Sequence, residues 1–361
     1  MLPQGLGRID HHRRRRCRSG NLNPAVPAGD GPELARDCLW RGAGPVTGAV
    51  EELNEDTLPQ DGEVLVEVEC SGLNFKDGLC MTGGGRLVRE YPHIPGVDMA
   101  GCVVESGDDR YKPGDRVILT GWRYGEIWWG GYAQKTRVKA DWLVPMPANL
   151  TSSQAMAIGT AGLAAILGVA ALEDHGITPD KGEVIVTGAT GGVGSLSVSM
   201  LANRGYRVAA VTGQADAADY LKSIGAETVI AREDLSEPSP KPLESGRWAG
   251  CIDSVGSTML SRIITQMAYG GTIAAIGNAS GIGLETNILP FLLRGVNLLG
   301  IDSVMQPYEN RMRCWNNAGE WMQLDTLDSM IRETRLEEMM ELGSSILEGK
   351  VKGRVVVNPS L

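Results

Sequence analysis

The sequence predicts an α/β protein with a β-rich first part and a doubly wound parallel sheet in its second part. Three observations predict it. Residues 183–205, EVIVTGATGGVGSLSVSMLANRG, read as strand, glycine-rich turn and helix. After Thr151, strand and helix signals alternate. Before Thr151, short alternating strands are separated by turns that carry Gly and Pro.

The glycine-rich turn sets the chemistry. Gly188 lets the chain leave the strand sharply. Gly191 and Gly192 lack Cβ atoms, so backbone can approach a pyrophosphate, and Gly194 lets the helix pack on the strand. The helix then offers unpaired N–H groups and its positive end to an anion. A glycine-spaced motif is weak alone, and a ligand-free turn is the competing reading. The context favours a dinucleotide, because YRVAAV (206–211) provides the required second strand.

The chain has 361 residues, enough for two domains, and 42% hydrophobic residues, enough for full-sized cores. A net charge of −10 argues against a general nucleic-acid surface but allows a local basic pocket. The cysteines number seven, an odd count with no CxxC pair. A disulfide framework or zinc cluster is therefore not expected, and reduced thiols in a cytoplasmic setting are. No run of eighteen apolar residues occurs, so no membrane span is expected.

In chain order, residues 1–45 stand apart. HHRRRRCR (11–18) is a basic block followed by Pro- and Gly-rich sequence. A disordered basic tail, a targeting segment and a gene-start artefact compete. The segment is neither Ser-rich nor amphipathic, which disfavours a transit peptide. The expectation is a disordered or atypical extension, with regular structure starting near Gly48 and removal of residues 1–40 leaving activity intact. Strands are expected over 64–74, 95–106, 115–121 and within 129–147, with NFKDGL (74–79) turning into a helix. Residues 151–174 are helical in period, with Thr151 or Ser152 as N-cap and Gln154 closing a capping box. Strands follow at 183–187, 207–211, 227–230, 249–255 and 271–277, with helices at 194–204, 216–224 and 258–268. Helices and a last strand, RVVVN (354–358), end the chain.

Twelve blocks in one order carry a resemblance, among them LNFKDGL (73–79), IPGVDMAG (94–101), WGGYAQ (129–134), IGTAG (158–162), VTGATGGVG (186–194), PFLLRGVNLLGIDSV (290–304) and KGRVVV (352–357). They resemble the medium-chain dehydrogenase/reductase superfamily and, within it, the acrylyl-CoA reductase (YhdH/YhfP quinone oxidoreductase-like) family, over about residues 48–361. The resemblance implies a GroES-like catalytic domain from residues 46–158 and 305–361, and a Rossmann NADP-binding domain over 159–304.

Zinc-dependent relatives place Cys at the position of Asn74 and a His-Glu pair at Val97 and Asp98, so the resemblance implies a zinc-free enzyme. His93 and His175 read as surface or satisfied histidines. For the cofactor, an acid that would hold a ribose 2′-OH is missing at the end of the second strand of the parallel sheet. Thr212, Gly213 and Gln214 stand there, leaving room for a 2′-phosphate. The family commonly has Arg at position 214. Arg232 matches a family position that contacts NADP, and Lys222 is a further candidate, with a solvated helix lysine as the simpler reading. NADPH is the expected cofactor. The resemblance also assigns Thr190, Gly191, Gly192 and Val193 to the pyrophosphate. It places Phe75, Leu292 and Ser303 near the nicotinamide, with ordinary core as the rival reading for Phe75 and Leu292. Asn278 lies at the carboxyl end of a strand, where ligands sit in such sheets.

Without a Lewis acid, reducing an activated C=C is easier than oxidising an alcohol. The expected activity is NADPH-dependent reduction of an enoyl thioester, acrylyl-CoA to propionyl-CoA. The alternatives are a quinone or enone oxidoreductase of the same fold and a non-catalytic NADPH-binding protein. The candidate catalytic residues are Asn74, to orient the substrate carbonyl, Asp77, to fix Lys76 or the nicotinamide ribose, and Arg354, to meet CoA phosphates or the carbonyl. For Asn74 and Asp77, a role in tying down the turn competes equally. A surface position is the rival reading for Arg354. The expected partners are a small enoyl-CoA or enone substrate and a second copy of the chain, paired through the apolar edge VNLLGIDSV (296–304).

Overall fold

The structure, a computed structural model, describes residues 35–41 and 46–361. The expected extension over residues 1–45 lies outside the described residues except at 35–41. There a strand stands where none was expected. Strand β1 (Ala35–Arg41) pairs antiparallel with β2 (Thr47–Leu53), so regular structure begins well before Gly48. Trp40 is 2% exposed, and its indole N–H donates to the Met81 carbonyl at 2.9 Å. Cys38, Leu39 and Trp40 share a core with Leu73, Met81 and Tyr132.

The first sheet is built from β3 (Val64–Gly72), β4 (Asp98–Ser106), β5 (Arg116–Thr120), β6 (Lys135–Val138) and β7 (Leu143–Pro145). Helix α1 (Phe75–Thr82) leaves the end of β3 with Asn74 as N-cap. Alternate residues of the strands, Val64, Val66, Val68 and Met99 among them, fill the interior.

Helix α2 (Ser152–Asp174) begins as expected, with Thr151 and Gln154 forming a reciprocal capping box. By length and hydropathy it could cross a bilayer, but 78% of its most apolar window is buried in the protein. It packs on β3 and β4 on one side and on the second sheet's helices on the other. An all-round apolar helix is what such a seam requires.

The second sheet contains β8 (Glu183–Val186), β9 (Val208–Thr212), β10 (Thr228–Ala231), β11 (Trp248–Asp253), β12 (Met267–Ala275) and β13 (Asn297–Gly300). Their order is β10-β9-β8-β11-β12-β13, with every pairing parallel. The order reverses between β8 and β11, so the ligand crevice lies at their carboxyl ends. Helices α3 (Gly192–Asn203), α4 (Ala218–Ser223), α5 (Ser257–Gln266) and α6 (Leu289–Arg294) connect the strands. Val184 and Val186 face one core and Ile185 the other, as a sheet covered on both faces demands.

The chain then runs through α7 (Tyr308–Trp321), α8 (Leu324–Met330), β14 (Ile331–Thr334), α9 (Met339–Leu347) and β15 (Arg354–Val357). Strand β15 pairs antiparallel with β3, so the C-terminus closes the first sheet in the order β14-β15-β3-β4-β5-β7, with β6 on β3.

Burial of Trp40 ties residues 35–40 to the folded core, so a truncation at residue 40 would remove part of that core. Trp40→Ala is expected to cost about 3–5 kcal/mol, the usual loss for a buried aromatic. Urea unfolding checks it: an unchanged midpoint would mean that β1 does not belong to the folded core.

Candidate active site

The phosphate turn is built at the switch point. Thr187, just past β8, donates its hydroxyl to Asp253 Oδ1 at 2.7 Å, locking the ends of β8 and β11 together. Gly188 adopts φ 58°, the left-handed turn that glycine permits. A Cβ at Gly194 would lie 2.2 Å from the Gly188 carbonyl oxygen, so this glycine lets α3 dock on the turn. Gly191 meets nothing closer than 3.4 Å and leaves its face open. Gly192 differs from expectation. Its missing Cβ makes room for Arg354, whose Nη1 would lie 2.5 Å away. The first-turn N–H groups of α3, from Gly192 and Val193 onward, have no partner within the helix, so the residues present fit a dinucleotide pyrophosphate.

The end of β9 forms the adenosine side. Thr212 Oγ1 accepts from the Gln214 N–H at 3.0 Å and lies 3.4 Å from Thr190 Oγ1, so both threonines shape the turn. The Arg232 guanidinium lies across Gly213, with atoms 2.3–2.5 Å from where a Cβ would stand. Arg232 forms no ion pair among the described residues. The Gln214 amide donates to the Gly349 carbonyl at 2.6 Å.

The substrate side rests on a buried polar network. Asp98 Oδ1 accepts from the Gly72 N–H at 2.8 Å. Its Oδ2 accepts from the Thr160 N–H at 2.9 Å and from Asn74 Nδ2 at 3.0 Å. Asp77 accepts from the backbone of Asn74 at 2.8 Å and of Val97 at 2.9 Å. Arg354 is 2% exposed and donates to the carbonyls of Ala157 (2.5 Å), Leu73 (3.1 Å) and Met156 (3.3 Å), and to Asn74 Oδ1 at 3.4 Å. Burial pushes the Asp77 carboxyl up to about 7, and the nearby Asp98 charge adds to the rise. Burial also raises Asp98, opposed by the Thr160 N–H and the Arg354 charge. The three N–H donors and the Arg354 charge oppose that rise and favour the ionised form of Asp98.

The network bears on readings that the sequence left open. The rival reading of a surface arginine does not hold for Arg354, which is buried against Gly192 of the phosphate turn and donates to protein carbonyls. Asn74 spends both side-chain atoms on Asp98, Arg354 and the Gly72 carbonyl, so it ties the turn. The sequence reading missed Asp98 as an anchor, together with Gly159 and Thr160, which receive it. A Cβ at Gly159 would lie 2.4 Å from Asp98 Oδ2, and its φ of 47° breaks the helical path inside α2. The only signals in the sequence were the otherwise unassigned IGTAG block and an acid following PGV.

The remaining candidates stand on separate elements. Phe75 is half-buried at the start of α1, beside the network. Asn278 lies just past β12, in a turn closed by the Gly281 N–H on its carbonyl at 2.9 Å. Ser303 is half-buried, one residue before Val304, whose carbonyl accepts the Trp122 N–H at 2.9 Å. Leu292 is 71% exposed on α6, so it is not core.

A zinc ion does not fit. Val97 offers no donor, Asn74 is engaged, and no three His, Cys, Asp or Glu side chains gather among the described residues. His93 is buried with Nε2 2.9 Å from the Gly125 carbonyl, and burial lowers its pKa. His175 sits exposed at the end of α2 on the Ala171 carbonyl.

The fold and the crevice together define a nicotinamide-nucleotide oxidoreductase of the medium-chain dehydrogenase/reductase architecture. The alcohol dehydrogenase GroES-like domain matches residues 60–148, and the zinc-binding dehydrogenase family matches residues 192–317. The chain is 57% identical over 316 residues to acrylyl-CoA reductase AcuI of Ruegeria pomeroyi, covering 88% of this chain and 96% of that one. It superposes on the Salmonella enterica YhdH oxidoreductase, solved with NADP, at TM-score 0.87 and 44% identity, covering 90% of this chain and 99% of that one. Bacillus subtilis YhfP, a putative quinone oxidoreductase, is 45% identical over 88% of this chain and 96% of its own. Its structure with NAD bound also gives TM-score 0.87, covering 91% of this chain and all of that one. The chain belongs to the acrylyl-CoA reductase (YhdH/YhfP quinone oxidoreductase-like) family.

The raised Asp77 has a direct consequence for stability. Between pH 4 and 7 the folded chain holds a proton on Asp77 that the unfolded chain has lost. Stability therefore falls as pH rises through that window, by at most about 1.4 kcal/mol per pH unit from this group. Asp77→Asn should be less stable overall, yet its urea midpoint should fall less steeply with pH. Identical slopes for both proteins would show that Asp77 is ionised in the fold.

Proposed function

We propose that the chain reduces acrylyl-CoA to propionyl-CoA with NADPH and without zinc. The observation that carries this reading is the 57% identity to an acrylyl-CoA reductase along nearly the whole chain, with the zinc positions held by Asn74 and Val97. When bound, NADPH supplies a hydride to the β-carbon of the enoyl thioester, while negative charge develops on the carbonyl oxygen and a proton from water adds at the α-carbon.

The chain's own residues bind and orient. Thr190, Gly191, Gly192 and Val193 hold the pyrophosphate on the N-terminus of α3. Thr212 and Gly213 shape the adenosine side, where Arg232 faces the 2′-phosphate. Phe75, Asn278 and Ser303 line the nicotinamide side. Asn74, Asp77 and Arg354 act as positioning residues: they fix the turn that presents Phe75 and Lys76 at the crevice. The YhfP relative supports a second reading, reduction of quinones or enones in the same crevice.

Steady-state NADPH oxidation with acrylyl-CoA, crotonyl-CoA and simple quinones separates these readings. Acrylyl-CoA should give the highest kcat/KM. Fast turnover of quinones with none of acrylyl-CoA would reverse the ranking, and a higher kcat/KM with NADH would remove NADPH.

We also infer a homodimer in the cytoplasm. The free thiols of the six described cysteines suit a reducing compartment. Strand β13 ends the second sheet with one edge unpaired, and Ile288, Leu292, Leu293 and Met305 are exposed on the segments flanking it. A second copy would cover Leu292, which the chain alone leaves in solvent. Sedimentation equilibrium should give a dimer mass that Leu293→Asp lowers to that of a monomer; a monomeric parent protein would rule the pairing out.

A further inference from the structure

We propose that the Gly349–Gly353 loop gives the NADPH 2′-phosphate the cations that position 214 lacks, through Lys350 and Lys352, with Gln214 as the positioning residue that holds the loop. The proposal rests on the NADPH reading above.

The family resemblance places an arginine where Gln214 stands. Here the Gln214 side chain reaches the C-terminal segment, donating to the Gly349 carbonyl at 2.6 Å. The far end of the loop is fixed as well: the Gly353 N–H donates to the carbonyl of Thr190, in the phosphate turn, at 3.0 Å. Both glycines have left-handed φ, 68° and 72°. A Cβ at Gly353 would lie 2.8 Å from the Met330 carbonyl oxygen, so the loop closes tightly there. It is thus clasped to the two segments that shape the nucleotide site.

Between the clasps stand two exposed lysines. Lys352 Nζ lies 5.6 Å from the ring centroid of Tyr220 and has no carboxylate partner among the described residues. Tyr220 belongs to α4, just beyond Gln214, and its hydroxyl donates to Ser195 Oγ of α3 at 3.0 Å. Lys352 is therefore held beside both the phosphate turn and the segment after β9. Among the described residues Lys350 pairs with Glu348, side chains 71% and 55% exposed, a solvent-screened contact of little strength. Arg232 covers Gly213. Of the nearby acids, Asp216, Asp219, Glu341 and Glu348 are exposed, so water weakens their opposition, and the half-buried Glu338, which shares a hollow with both lysines, is paired with Arg332. A phosphate monoester carries nearly two negative charges at neutral pH, more than Arg232 alone neutralises.

Adenosine phosphates reach the enzyme from two sources, the 2′-phosphate of NADPH and the 3′-phosphate of CoA. Calorimetric binding of 2′,5′-ADP, 3′,5′-ADP and 5′-AMP tells them apart. In Lys350→Gln/Lys352→Gln the affinity for 2′,5′-ADP should fall about tenfold or more, the scale of a lost charge-assisted contact, while 3′,5′-ADP and 5′-AMP stay unchanged. Gln214→Ala should weaken 2′,5′-ADP alone and add nothing further in the double-lysine background. A 2′,5′-ADP preference that survives both lysine substitutions overturns the proposal, as does a loss confined to 3′,5′-ADP. Full additivity of Gln214→Ala overturns its positioning role. Equal affinity of the unsubstituted enzyme for 2′,5′-ADP and 5′-AMP overturns the NADPH reading, and this proposal with it.

Discussion

The Asp98 carboxylate and the Arg354 guanidinium, buried at the seam of the two sheets, are the constraint on which the rest of the structure depends. Burying either alone would cost several kcal/mol, so each must be surrounded by partners. Those partners come from the end of β3, the cap of α1, and the kink and first turns of α2. Two glycines make the approach possible. A Cβ at Gly72 would lie 3.0 Å from Asp98 Oδ1 and 3.2 Å from Arg354 Nη2, and one at Gly159 would strike Asp98 itself. Residue 354 thus reaches back to residues 73, 74, 156 and 157, and β15 returns to pair with β3 after the second sheet is built.

That arrangement fixes the crevice without filling it. Asn74 and Asp77 cap α1 from below, and Arg354 supports Gly192 of the phosphate turn from the opposite side. The substrate half and the cofactor half are therefore held by one set of hydrogen bonds. A change in either half is transmitted through buried groups that cannot rearrange cheaply, since each lost donor leaves an unpaired polar atom in a dry interior.

The local parts of this design were legible in the sequence. The Thr151–Gln154 capping box, the strand–turn–helix of 183–203 and the alternation beyond it depend on neighbours a few residues apart, and they stand where the pattern places them. The parts that were not legible depend on distant partners. Strand β1 follows a stretch rich in Pro and Gly, and only its pairing with β2 and the docking of Trp40 under Met81 reveal it. Arg354 was legible as a candidate site residue, with a surface position as the rival reading, but its structural role was not. Its partners lie about two hundred or more positions away, so no spacing rule could name them. Asp98 stood out as an acid following PGV, at a position where zinc-dependent relatives carry a metal-site residue, and neither feature names its partners.

The glycine string shows the same division within seven residues. Read as a motif, GATGGVG assigns its glycines to one ligand. In the fold, Gly188 turns the chain, Gly194 admits the helix and Gly192 admits Arg354, which leaves Gly191 as the one glycine of the turn whose open face looks outward. Three of the four serve the protein's own packing, so the motif is retained by the fold whether or not the nucleotide carries a 2′-phosphate. Selectivity has to come from residues outside the motif. Here these are Arg232 across Gly213 and the C-terminal loop held by Gln214, contributed by segments that only the tertiary structure brings together.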